Sequence, residues 1–269
     1  MAAITAAATW RITWTIVTLI VVEAAVCAAA IAPVVATVWW LADTLPNSRA
    51  WRVTLVALTA VPSYATFALA LMIATPLAVR MAGWRTPPAA EMRIADCGWP
   101  LLGWVRFMAA IHIARFFAGG LLRGTPLWSW HLRLCGAKIG RRVYINSLAI
   151  SDYNLLEFDD DVVVGGEAHV SGHTVEAGVV RTGSVRLGRG VTIGLGSIVE
   201  IDTDVAEGCQ IGAMSFVPKH SRIVEPGVYV GTPAARLPRL SQSSQHAQRS
   251  QHPQQGAASP VFNRARSDK

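Results

Sequence analysis

The chain has 269 residues, of which 52% are hydrophobic and 15% charged, with 24 Lys and Arg against 17 Asp and Glu. Charged residues make up about 25% of an ordinary soluble domain, so an average soluble domain and a disordered chain are both excluded. Four scattered cysteines, Cys27, Cys97, Cys135 and Cys209, lack the paired spacing of a disulfide framework or a metal ribbon and read as reduced, buried thiols.

In chain order, residues 12–42 are apolar with one charge, Glu23, and residues 53–79 are apolar with none. Each stretch exceeds the ~20 residues that a helix needs to cross hydrocarbon, which predicts two transmembrane helices within residues 1–79. Trp10, Trp14, Trp39, Trp40, Trp51 and Trp84 flank them, as an interfacial aromatic belt would. Ala28 to Ala30 look like a cleavage site, but the apolar run continues past them and a second span follows, against a signal peptide. Glu23, within the first span, faces either a role in the membrane or a hydrogen bond to Ser63, Tyr64 or Thr66 near a kink at Pro62.

Residues 80–135 form a basic, aromatic collar: seven arginines against two acids, with Trp104, Phe107, Ile111, Phe116 and Phe117 among them. This composition predicts interfacial helices with guanidinium groups on lipid phosphates, or else a third, short re-entrant or buried helix. The aromatic spacing is that of an apolar face and not of base-stacking platforms, so no nucleic-acid partner is expected. The excess of basic residues here places the C-terminal domain in the cytoplasm. With two spans, the N-terminus lies there too, giving a multi-pass protein of the cell membrane.

From Leu187 every sixth residue is aliphatic: Leu187, Ile193, Val199, Val205, Ile211, Val217 and Ile223. The fifth place of each hexad is small or β-branched (Val191, Ser197, Thr203, Cys209, Ser215, Ser221), and glycine or a small or acidic residue follows the aliphatic one. Further hexads begin at Ile139, Ile145, Phe158, Val164 and Val170. A period of six with an inward aliphatic residue predicts a parallel β-helix of three faces over residues 136–240, with 18 residues per turn and about four turns. The tail, 241–269, is rich in Ser, Gln and Pro and is expected to be disordered.

The hexads LGRGVT, IGLGSI and IGAMSF, closed by Gly231-Thr232-Pro233-Ala234, resemble the hexapeptide-repeat acyltransferases, the left-handed parallel β-helix family. The stretches RGTPLWSWHLRLCGAKIGRRVYI and SGHTVEAGVVRTGSVRLGRGVTIGLGSIV more narrowly resemble the C-terminal membrane and β-helix unit of polylysine-synthetase-type nonribosomal peptide synthetases. The resemblance implies a homotrimer, or a pseudo-trimer of related units, that takes acyl-CoA or a carrier-protein thioester as donor, with no tightly bound cofactor. It also implies membrane lipids and a peptide synthetase or carrier protein as partners. No adenylation or carrier segment is recognisable, so the chain would stand alone or act beside partners that supply activated substrate.

The register breaks between Val170 and Leu187, so residues 171–186 leave the coil as a loop, the usual place for function on a rigid repeat. His173 is the candidate base, matching the narrower family's histidine, with Glu176 to fix its tautomer. Arg181 would hold a carboxylate or phosphate. His169, Gly231 and Thr232 complete the candidate substrate-binding set. A zinc site on His169 and His173 has no supported third ligand, His220 being poorly spaced, and no metal is expected. Asp159, Asp160 and Asp161 read as a solvated turn. Three functions are carried: transfer of an acyl or aminoacyl group to an amine or hydroxyl, a non-catalytic trimerising scaffold for a membrane peptide-synthetase assembly, and a transport role for the helices motivated only by Glu23.

Overall fold

Two long helices lead the fold. The computed structural model describes residues 5–44 and 48–238; the tail from Ser241 lies outside the described residues. Helix α1 covers Ala6–Thr44 and α2 covers Arg49–Met81, so each apolar stretch is helical through its whole length and beyond. Threonine hydroxyls along α1 turn back on the helix, Thr15 Oγ1 to the Arg11 carbonyl at 2.8 Å and Thr37 Oγ1 to that of Pro33 at 2.8 Å. The bonds satisfy polar side chains within an otherwise apolar surface. Ser48 caps α2 by accepting from the Trp51 N–H at 3.3 Å. Val26 and Ala30 pack on Leu71 to join the two helices. Tyr64 donates to the Phe117 carbonyl and Thr66 to that of Pro62, so neither serves Glu23.

Pro76 explains a buried histidine. Lacking an N–H, it leaves the Met72 carbonyl without its helical donor. His131 Nδ1, fully buried, donates to that carbonyl at 3.0 Å, which ties α2 to the next region.

That region begins with β1 (Glu91–Arg93), followed by α3 (Trp99–Ala114), a π-helical turn (Arg115–Gly119), α4 (Gly120–Leu122) and α5 (Pro126–Leu134). Trp99–Leu122 is, like α1 and α2, long and apolar enough to cross a membrane. It packs on α1 and α2 and also joins the core of the coil. The open end of a β-helix would expose its interior, and here the collar covers it. Phe107, Ile111, Trp128 and Leu132 close over Ile145, Ile150 and Tyr153 in one buried cluster. Gly119 permits that approach, since a Cβ there would lie 2.7 Å from the Leu148 Cδ2.

The coil strands follow: β2 (Lys138–Ile139), β3 (Tyr144–Ile145), β4 (Leu156–Phe158), β5 (Val163–Val164), β6 (His169–Val170), β7 (His173–Glu176), β8 (Val179–Thr182), β9 (Val185–Leu187), β10 (Thr192–Ile193), β11 (Ile198–Val199), β12 (Thr203–Val205), β13 (Gln210–Ile211), β14 (Phe216–Val217), β15 (Arg222–Ile223), β16 (Val228–Val230) and β17 (Ala235–Arg236). Outside β7, β8 and β17 they stack in parallel as three faces, β2-β4-β9-β12-β15, β3-β5-β10-β13-β16 and β6-β11-β14. Partners such as Thr192 and Gln210, or Ile198 and Phe216, are 18 residues apart, the expected turn length.

The hexad residues point inward. Leu187, Ile193, Val199 and Val205 are completely buried, as are Val191 and Ser197 at the fifth place. Ser197 Oγ donates to the Gly212 carbonyl at 2.7 Å, so a polar residue is accommodated inside. Glycine after the aliphatic residue has a different cause from the corner freedom usually invoked. At Gly194 a Cβ would lie 2.4 Å from the Ala213 amide nitrogen of the next turn, so close stacking requires it. Left-handed backbone appears two residues later in the corner, at Gly190 and Gly196.

Candidate active site

The regular stack is interrupted twice, and the interruptions meet. Between Val170 and β9 the chain leaves the coil as the antiparallel hairpin β7–β8, and β1 adds to β8 as a third strand. Between β3 and β4 a second departure passes through Ile150, Asp152 and a short helical turn, Tyr153–Leu155. Asp152 there takes left-handed backbone, φ 53°, which aspartate tolerates better than most residues.

His173, first residue of β7, donates from Nδ1 to Asp152 Oδ2 at 2.5 Å. Gly172 makes room, because a Cβ would lie 2.8 Å from that of Asp152. Asp152 is fully buried, and its Oδ1 accepts from Thr86 Oγ1 at 2.8 Å and Trp104 Nε1 at 3.0 Å. Burial works to raise the pKa of this carboxyl, but the hydrogen bond and charge of His173, with the Thr86 and Trp104 bonds, outweigh it and hold Asp152 below its ordinary range. An ionised Asp152 only accepts, so the His173 proton sits on Nδ1 and the Nε2 lone pair is left free. Nε2 has no hydrogen-bond partner among the described residues, and the side chain is 23% exposed. The Trp104 ring stands edge-on to the imidazole at 5.0 Å. Ser171 Oγ accepts from the His173 N–H at 3.2 Å and from Ser151 at 3.1 Å.

Glu176, expected beside His173, is elsewhere. Three residues apart on one strand, the two side chains point to opposite faces. Both Glu176 oxygens accept from Lys219 Nζ at 2.6 Å, and the Lys219 bond and charge hold its pKa below the ordinary value. The carboxylate on Nδ1 is that of Asp152. Arg181 is engaged with Glu91 at 2.9 Å and Glu176 at 3.5 Å on the outer sheet. His169 is exposed on the same coil face, above Ile198 and Phe216 in register. Gly231 and Thr232 lie at the far end of that face, where the Gly231 N–H donates to Ser215 Oγ at 3.1 Å and its carbonyl accepts from Phe216. They sit about three turns, or ~14 Å, along the axis from His173. The three aspartates at 159–161 form surface pairs, Asp159 with Arg186, Asp160 with Arg141 and Asp161 with Arg142.

Sequence reading missed Asp152, Thr86 and Trp104. One signal pointed to Asp152: Ile145 and Phe158 are 13 residues apart where two hexads need 12. Thr86 and Trp104 lie 66 and 48 residues before it and carry no such mark.

No family model matches the chain. Among curated proteins it is similar to Delta-poly-L-ornithine synthetase of Acinetobacter baumannii (strain AB307-0294), 27% identical over 153 residues. The match covers 56% of this chain but 12% of that synthetase. Similar solved structures include a maltose O-acetyltransferase from Clostridium difficile 630, 19% identical with TM-score 0.35, covering 43% of this chain and 76% of that one. A hexapeptide-repeat-containing acetyltransferase from Vibrio cholerae is 17% identical with TM-score 0.35, covering 39% and 62%. The chain is thus similar in sequence to a small part of a poly-amino-acid synthetase, and its structural neighbours are hexapeptide-repeat acyltransferases.

Proposed function

We propose that the chain is a membrane-anchored transferase that moves an acyl or aminoacyl group from a thioester donor, acyl-CoA or a carrier protein, to an amine or hydroxyl. The observation that carries this reading is a histidine outside the repeat with Nδ1 committed to a buried carboxylate and Nε2 free. His173 takes the proton from the acceptor as it attacks the thioester carbonyl, Asp152 stabilises the imidazolium that forms, and as the C–S bond breaks that proton passes to the departing thiolate. Reading the coil as a left-handed β-helix supports a trimer in which a neighbouring copy completes the donor site. His169, Gly231 and Thr232, strung along one face, are its candidate lining, while Arg181 needs release from Glu91 and Glu176 to take part. Helices α1 and α2 cross the membrane, and the coil and both termini face the cytoplasm. Similarity to a poly-amino-acid synthetase supports a place in nonribosomal peptide synthesis.

The test offers the full chain in nanodiscs radiolabelled acyl-CoA, or a labelled acyl or aminoacyl carrier thioester, with amine and hydroxyl acceptors. His173→Ala is expected to lower transfer by about 10²–10⁴-fold. Unchanged transfer in that variant would remove His173 as base. No transfer by the native chain with any donor would favour the non-catalytic scaffold.

A further inference from the structure

The carboxylate that orients His173 is held by groups from outside the coil. Thr86 belongs to the segment after α2, and Trp104 to α3. Both donate to the same oxygen, Oδ1, leaving Oδ2 to His173. The segment is stitched down on either side of the site. Asn154 and the Thr86 backbone exchange two hydrogen bonds, at 3.1 and 2.9 Å. Thr182, at the end of the His173 hairpin, donates to the Pro87 carbonyl at 2.6 Å and accepts from the Ala90 N–H at 2.9 Å. Beneath the hairpin, Val180 packs with Met92 and Leu101 in a small buried cluster that Trp104 borders.

We propose that Trp104 and Thr86 are positioning residues: as the two donors on Asp152 Oδ1 they set its carboxylate, and through it His173, so the pair is assembled only where the helical region meets the coil. A buried carboxylate with one oxygen unpaired would rotate or draw in water, and Nδ1 of His173 would lose its fixed acceptor. Trp104 has a second part, since its ring also walls the imidazole. The proposal rests on His173 being the base, and its test separates the two.

The full chain in nanodiscs, with histidine ring nitrogens labelled, is read by ¹⁵N NMR at pH 7.5 as Trp104→Phe, Thr86→Val and Trp99→Phe. Trp104→Phe keeps an aromatic ring but no donor. Trp99 lies against Arg106, is not among the hydrogen-bond partners of Asp152 or His173, and is the control. With one donor lost the carboxylate is free to turn from His173, so the single Nδ1–H tautomer should give way to a mixture in the first two variants and not in the third. His169 and the charges of Glu200 and Arg115 beyond it are untouched in every variant. With acetyl-CoA as donor, kcat should fall about tenfold while KM stays within about twofold. A His173 tautomer unchanged by both donor variants, or altered equally by Trp99→Phe, overturns the proposal. An altered tautomer with unchanged kcat keeps the positioning role and overturns His173 as base.

Discussion

The lower coil, from β9 to β16, and the upper coil, from β2 to β8, use the same repeat differently. Below, each turn is 18 residues and the pairing repeats without interruption, so the inward places from Leu187 to Ile223 are all aliphatic or small. Above, the period fails twice, and the two departures bring Asp152 and His173 into contact 21 residues apart. A repeat satisfies its own backbone and core at each turn and so fixes a rigid frame. Only segments that leave it can place a polar side chain to suit a partner rather than the stack.

Substitutions in the two regions should therefore fail differently. Asp152→Asn, in the upper coil, removes the charge that holds the proton on Nδ1, and transfer should fall about 10²–10³-fold with little change in thermal midpoint. An effect below tenfold would mean the pair is not a catalytic unit. Gly194→Ala, in the lower coil, pushes a methyl into the next turn's backbone. It should lower stability by about 2–3 kcal/mol in denaturant unfolding and leave the His173 ring signals in place. The junction with α2 gives a pH effect. Burial lowers the pKa of His131 from its ordinary value, against the opposing bond to the Met72 carbonyl. The folded chain therefore keeps His131 neutral where the unfolded chain binds a proton. Stability is full above about pH 6.5 and falls as pH drops below it. Thermal midpoints measured from pH 8 to 5 should show that decline and lose part of it in His131→Gln. Glu176→Gln, which breaks an exposed pair, should change transfer by less than about twofold. A loss comparable to Asp152→Asn would restore Glu176 as the partner of His173.

Much of this was readable in the sequence, for a physical reason. A prism three hexads around needs an aliphatic residue at every sixth place, so Leu187 to Ile223 spell the fold, and two long apolar runs spell the helices. His173 was legible because it follows a visible break in that period. Asp152 was not, because its break shifts the register by one residue, and nearness in sequence favoured Glu176, which the alternation of a strand turns away. The collar was readable as apolar and basic, but not its packing over the open end of the coil. That packing rests on contacts such as His131 with Trp128 and Tyr153 that no local pattern encodes.

The most direct test of the site is the protonation state of the His173 ring in the native full chain at pH 7.5, read from its two ¹⁵N shifts. A proton on Nδ1 and a bare Nε2, converted toward a mixture of tautomers by Asp152→Asn, is the expected result. A proton on Nε2 in the native chain would contradict the account, because His173 could not then accept one from a substrate.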